Sequence, residues 1–110
     1  MEIWENRHGS VVILAVHGKF DASTATLFDA RVTPLLEKGE KNFLIDFAHL
    51  EYISSAALRR LLVLAKGAGR AGGKVVLVSL QGPIREIFDM AGFTPLFPMH
   101  ASVEEALRSF

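Results

Sequence analysis

No cysteine occurs in the 110 residues of this chain. That absence excludes disulfides, thiolate nucleophiles and Cys-based metal sites together. An excess of charge of either sign is also missing, since twelve Lys and Arg balance twelve Asp and Glu for a formal net charge of zero. A chain without a broad positive field is poorly suited to non-specific nucleic-acid binding, which rests on neutralising phosphates. Long apolar runs are absent too. The longest, Val11-Val12-Ile13-Leu14-Ala15-Val16, is far short of the roughly 20 residues that span a bilayer. It follows Glu2, Glu5, Arg7 and His8 and precedes no small-residue cleavage pattern, unlike a secretory signal. The expectation is a cytoplasmic protein with no membrane insertion and no nucleic-acid partner.

What is present points to a globular α/β chain. Half the residues are hydrophobic and 22% are charged, which places the sequence outside the disordered class. Its length suits one hydrophobic core, so residues 1–110 are expected to form a single domain. Short apolar runs alternate with amphipathic segments. Glu2 to Arg7 reads as an edge strand that can pair, across His8-Gly9, with a buried strand from Ser10 to His17. A helix capped by Asp21 or Ser23 runs to about Lys38 on the stripe Leu27, Phe28, Val32, Leu35 and Leu36. Lys41 to Phe47 is the next strand.

A second helix spans Ser54 to about Ala71. At about 100° per residue, Leu58, Leu61, Leu62, Ala65 and Ala68 face the sheet, and Arg59, Val63, Lys66 and Arg70 fall together on the opposite side. Gly72-Gly73 end it, and Lys74 to Leu80 forms another central strand. Pro83 opens a third helix with Ile84, Ile87, Phe88 and Ala91 in helical spacing and Gly92 at its end. Leu96-Phe97, between Pro95 and Pro98, is expected as a short edge strand. Ser102 and Glu105 form a capping box for a last helix that buries Val103, Ala106, Leu107 and Phe110. The order β-β-α-β-α-β-α-β-α describes a mixed sheet of about five strands backed by about four helices.

Enzymatic chemistry finds no foothold in these residues. His8, His17, His49 and His100 lie in four separate segments with no metal-ligand spacing. Gly67, Gly69, Gly72 and Gly73 end a helix and precede a strand, the reverse of the order that cradles phosphate. No Gly-x-Ser-x-Gly elbow surrounds Ser54 or Ser55. Asp46, at a strand end, suits a loop-fixing role. The remaining unusual feature is Tyr52-Ile53-Ser54-Ser55-Ala56-Ala57, where two serines open a helix. Taken alone, a serine there is most simply a helix cap.

The wider sequence resembles the STAS domain of bacterial anti-sigma factor antagonists, from about Ile13 to Phe110. Five blocks carry the resemblance: Gly18-Lys19-Phe20-Asp21-Ala22-Ser23-Thr24; Leu44-Ile45-Asp46-Phe47 leading to Leu50 through Arg59; Gly72-Gly73-Lys74-Val75; Ile87 through Phe93; and Ser102 through Leu107. The resemblance implies a STAS-like mixed sheet backed by helices, no cofactor and no enzymatic activity. It also implies partner switching. The unphosphorylated antagonist binds an anti-sigma factor, usually a serine kinase of the GHKL ATP-binding type, and so frees a sigma factor and regulates transcription indirectly. The kinase phosphorylates a serine at the start of the second helix, binding is lost, and a metal-dependent serine phosphatase restores it.

Carried over residue by residue, the phosphoacceptor falls on Ser55, and less readily on Ser54. The family's frequent Asp-Ser-Ser/Thr-Gly-Leu is rendered here as Ser54-Ser55-Ala56-Ala57-Leu58. Asp21, Ser23, Ser54, Ser55, Ala56, Arg59 and Val63 are the expected partner-binding residues. The alternative implied by the resemblance is a non-cycling STAS accessory subunit of a lipid-transport ATPase complex or a larger signalling assembly. A small enzyme or ligand-binding protein is a third possibility, for which no motif speaks.

Overall fold

The structure is a computed structural model that describes residues 1–110. Strand β1 (Glu2–His8) pairs antiparallel with β2 (Val11–Phe20), and Gly9 makes the tight turn between them with φ of 58°. Every other pairing is parallel. Strands β3 (Asn42–Asp46), β5 (Lys74–Val78) and β6 (Met99–His100) continue the sheet in the order β1-β2-β3-β5-β6. A further strand, β4 (Leu50–Ile53), lies off this path and pairs only with the last turn of β2. Parallel neighbours require crossovers, and three of the four helices supply them.

Helices α1 (Ala25–Glu37), α2 (Ser55–Arg70) and α3 (Gly82–Met90) bury their apolar faces in one large core with Val12, Leu14, Val16 and Phe20 of β2. The short α4 (Val103–Leu107) covers the opposite face, where Ala106 packs on Val11, Leu44, Val76 and Val78. The sheet is therefore covered on both faces, not by one helical layer. This explains why the β3 and β5 segments read as continuous apolar runs. Phe20 and Phe28 meet with ring centroids 4.8 Å apart, joining β2 to α1. A fully buried side chain of this size contributes about 1.5–3 kcal/mol.

Several sequence expectations change in detail, and the strand expected at Ser10 to His17 runs on to Phe20. Residues Leu50–Ile53, read as part of a loop, form β4, so the sheet has six strands. The edge strand expected at Leu96-Phe97 is instead the end of a 3-10 helix, Thr94–Leu96, and the strand lies at Met99–His100. Phe97 is nevertheless buried, packed edge-on against Phe88, so side-chain burial and not strand pairing holds that segment. Leu27, Ala91 and Phe110 are exposed, the last with the Lys74 ammonium 5.1 Å from its ring centroid. In α2 the inward face turns slightly, with Ala57 and Leu64 buried and Leu62 and Ala65 only half-buried.

Gly73 occupies its position for a reason no turn signal reveals. A Cβ there would stand 1.9 Å from the Lys41 carbonyl oxygen, which accepts the Lys74 N–H at 2.9 Å. The β3–β5 pairing thus begins at a backbone approach that only glycine permits.

Candidate functional site

The site is built where two parallel strands end side by side. Phe20 of β2 and Ile53 of β4 are register partners, and the Ser54 N–H donates to the Phe20 carbonyl at 3.0 Å. The turn Asp21–Thr24 and the start of α2 therefore emerge from the same sheet edge. Asp21, Ser23, Ser54 and Ser55, distant in sequence, are brought together there. Arg59 and Val63 lie farther along α2.

Local hydrogen bonds hold the first of these turns. Asp21 Oδ1 accepts the Ser23 N–H at 2.9 Å, the Ser23 hydroxyl at 2.6 Å and the Thr24 N–H at 3.2 Å. The bond from the Ser23 hydroxyl is the main reason that the Asp21 carboxyl titrates below its ordinary range. Thr24, and neither Asp21 nor Ser23, stands at the N-cap position of α1, but its side chain makes no cap hydrogen bond. Asp21 accepts the N–H groups that lead into the helix, those of Ser23 and Thr24 through Oδ1 and that of Ala25 through its carbonyl. Thr24 Oγ1 accepts the Asp21 N–H at 2.9 Å and donates to the Lys19 carbonyl at 3.0 Å. Thr24 is the positioning residue that the sequence pattern passed over. Its signal was the Asp-x-Ser-Thr order, which supplies an acceptor followed by two short donors.

The two serines at the head of α2 do different things. Ser54 is the N-cap: its Oγ accepts the Ala57 N–H at 3.2 Å and its carbonyl accepts the Leu58 N–H at 3.0 Å. With its own N–H bound to Phe20, each of its polar groups has a structural partner. Ser55 is the first helical residue, exposed, and its hydroxyl makes no hydrogen bond within the chain. Of the first-turn N–H groups, that of Ala57 is bound by the Ser54 side chain, which leaves those of Ser55 and Ala56 without a partner in the chain, and no acidic side chain occupies that turn. Ala57 is wholly buried, so its methyl group enters the core and does not stand at the surface beside Ser55. Ala56 is half-buried.

Farther along α2, the predicted outward face is observed. Arg59, Val63, Lys66 and Arg70 are all exposed, and none of the three cations has an ion-pair partner. Arg60 differs, since its Nε donates to Asp29 Oδ1 of α1 at 3.0 Å. Elsewhere, Asp46 Oδ1 accepts the Ala48 N–H at 3.0 Å, the loop-fixing role expected of it. His17 and His49, separate in sequence, pack with tilted rings whose centroids are 4.7 Å apart, and the Trp4 ring lies 5.7 Å from that of His17. No third His, Asp or Glu joins them in a metal-holding group. No helix is long and apolar enough to cross a membrane.

Comparison with known proteins places this architecture. The STAS domain family model matches residues 5–106. A Bordetella bronchiseptica protein assigned as an anti-sigma factor antagonist, BtrV, is 32% identical over 110 residues, covering all of this chain and 95% of that protein. Among solved structures, an assigned anti-sigma factor antagonist from Thermotoga maritima superposes with a TM-score of 0.92 at 21% identity, over 97% of this chain and 92% of that one. SpoIIAA in its unphosphorylated form, an anti-sigma factor antagonist, gives 0.84 at 18% identity over 96% and 93%. Phosphorylated SpoIIAA of Bacillus gives 0.77 at 17% identity over 98% of both chains. These structures share the mixed sheet and its helices, and the family model spans nearly the whole sequence: the chain belongs to the STAS domain family.

Proposed function

We propose that this chain, acting as one STAS domain over residues 1–110, is an anti-sigma factor antagonist. It binds an anti-sigma factor serine kinase of the GHKL type in its unmodified form and is released when that kinase phosphorylates Ser55. A serine phosphatase returns it to the binding form. The chain performs no chemistry itself and works in the cytoplasm, where its partners regulate transcription. The observation that carries this reading is the division of labour at the head of α2. Ser54 is consumed by capping, whereas Ser55 presents a free hydroxyl at an acid-free helix start. The relation to BtrV supports the antagonist role.

The physical consequence of modification follows from position. A phosphate adds about −1.5 to −2 charges. On Ser55 that charge meets the positive end of the α2 dipole and the orphan N–H groups, so the fold has no reason to break. Arg59, one turn along and unpaired, is placed to meet the phosphate as well. Release is thus an event at the interface: a surface that fits a neutral hydroxyl receives a dianion. Asp21, Ser23, Ser54, Ser55, Ala56, Arg59 and Val63 form the proposed footprint. Incubation with purified GHKL-type kinases and ATP, followed by phosphopeptide mapping, tests this directly. Phosphate on Ser55 is expected; phosphate on Ser54, or none with any kinase, overturns the reading.

A further inference from the structure

We infer that the outward face of α2, beyond the switch serine, is a docking surface for an acidic face of the same protein partner. Ser55, Arg59, Val63, Lys66 and Arg70 fall within about 80° of arc at about 100° per residue, so the switch residue heads one continuous stripe. From Arg59 to Arg70 the stripe is about 16 Å long. The inference rests on the proposed antagonist role and adds to it the charge of the surface that the partner presents.

Charge distribution carries the argument. The sixteen residues of α2 contain four cations and no acid, although the chain as a whole is neutral. Arg7, Arg31, Arg60 and Arg85 each have a carboxylate within 4 Å. Arg59, Lys66 and Arg70 have none; Lys19, Lys38, Lys41 and Arg108 have none either, but they lie on separate elements, whereas the three of α2 share one helix face. Their neighbour Arg60 is drawn to Asp29, which leaves the outward stripe purely positive. Between Arg59 and Lys66 along its length, at one edge of the arc, stands Val63, 51% exposed. An apolar side chain set beside charged ones is a feature of protein interfaces.

Three cations on a neutral chain are too few for phosphate-dominated nucleic-acid binding. One small valine is also too little apolar surface to hold a helix at a lipid interface. An acidic protein surface needs only this much: steering charges at one end, an apolar contact in the middle and a switchable hydroxyl at the other. Continuity with Ser55 supplies the logic of release. Once phosphorylated, the stripe carries its own anion, and Arg59 is held by that phosphate and withdrawn from the acidic partner.

The test uses the full chain and each purified GHKL-type kinase domain of the organism that encodes it, with surface plasmon resonance at low and physiological salt. Lys66→Glu and Arg70→Glu should each slow association about threefold to tenfold at low salt and flatten its salt dependence, leaving dissociation nearly unchanged. Val63→Asp should speed dissociation about tenfold or more. Ser55→Asp is measured alongside as the control for the underlying reading. If wild type binds and Ser55→Asp does not, yet all three stripe variants match wild-type kinetics, the docking surface is refuted and the switch stands. If no kinase domain binds wild type, the switch reading falls and the docking surface with it. Wild type that instead floats with vesicles of equimolar phosphatidylglycerol and phosphatidylcholine, in a manner abolished by Lys66→Glu, also refutes the protein-docking assignment.

Discussion

Helices α2 and α4 both begin with a serine whose Oγ accepts the backbone N–H three residues on, from Ala57 in one case and Glu105 in the other, each at 3.2 Å. Their first turns then diverge. In α4 the next positions carry Glu104 and Glu105, and negative charge already complements the helix dipole. In α2 the first turn carries no acid, and the residue after the cap is a second serine with an unengaged hydroxyl. The same capping chemistry therefore closes one helix start and leaves the other electrostatically open. A phosphate on Ser55 would supply to α2 what two glutamates supply permanently to α4.

Four experiments can break or sharpen that contrast. The largest effect is expected on binding. Ser55→Asp should weaken partner affinity about a hundredfold or more, since like-charge or unpaired-charge burial in an interface costs several kcal/mol. Its thermal midpoint should hold or rise slightly, because an acid now sits at the helix start. A marked fall in midpoint, measured calorimetrically, would show that the substitution acts through the fold.

Next come the caps. Ser54→Ala should cost about 1 kcal/mol of folding stability, and Ser102→Ala a similar or smaller amount because α4 is only five residues long. Ser55→Ala should stay within about 0.5 kcal/mol of wild type. Chemical denaturation of the three variants compares them. Equal losses at Ser54 and Ser55 would erase the division of labour between the two serines.

A smaller effect separates the two dipoles. Glu104→Gln should lose about 0.3–1 kcal/mol at low ionic strength, and Ser55→Asp should gain a similar amount. Both differences should shrink as salt is added. If the two substitutions shift stability in the same direction, the first turns are not electrostatic counterparts.

The smallest effect concerns pH at the neighbouring turn. The Asp21 carboxyl titrates below its ordinary value because the Ser23 hydroxyl, above all, bonds its charged form. A depressed folded-state pKa means that its contribution to stability is present above the unfolded value and is lost as pH falls through the folded one. Ser23→Ala should return the carboxyl toward the ordinary range, as read by NMR titration of the side-chain carbon, and soften this acid dependence. An unchanged titration would assign the shift to the Ser23 and Thr24 backbone N–H groups and the Thr24 hydroxyl.

Much of this architecture was legible from local pattern. The hairpin at Gly9, the outward face of α2, the serine cap of α4 and the apolar β3 and β5 strands all follow from rules that act within a few residues, namely turn chemistry, helical period and burial. Strand β4 escaped because Leu50-Glu51-Tyr52-Ile53 neither alternates nor runs apolar, and only its ends are buried. Its existence depends on Gly18, Lys19 and Phe20, some thirty residues earlier, offering a free edge. The strand expected at Leu96-Phe97 failed for the complementary reason. Its apolar residues were read as pairing, whereas Phe97 is held by contact with Phe88.

The site divides along the same line. Sequence by itself determined the chemistry available: two adjacent serines at a helix start, an acid-free first turn and four cations on one helix. It also determined that three of those cations, Arg59, Lys66 and Arg70, share a face, because helical period is a local property of the backbone. Only the tertiary structure decided which serine is free, since β2–β4 pairing binds the Ser54 N–H to Phe20 and places Ser54 as the cap. Only the tertiary structure decided that Arg60 is tied down while Arg59, Lys66 and Arg70 are not, because Asp29 arrives from α1. And although Gly73 reads in the sequence as a helix stop, what forbids a side chain there is the Lys41 carbonyl of a distant strand. Such constraints arise between segments far apart in the chain, and no local period can encode them.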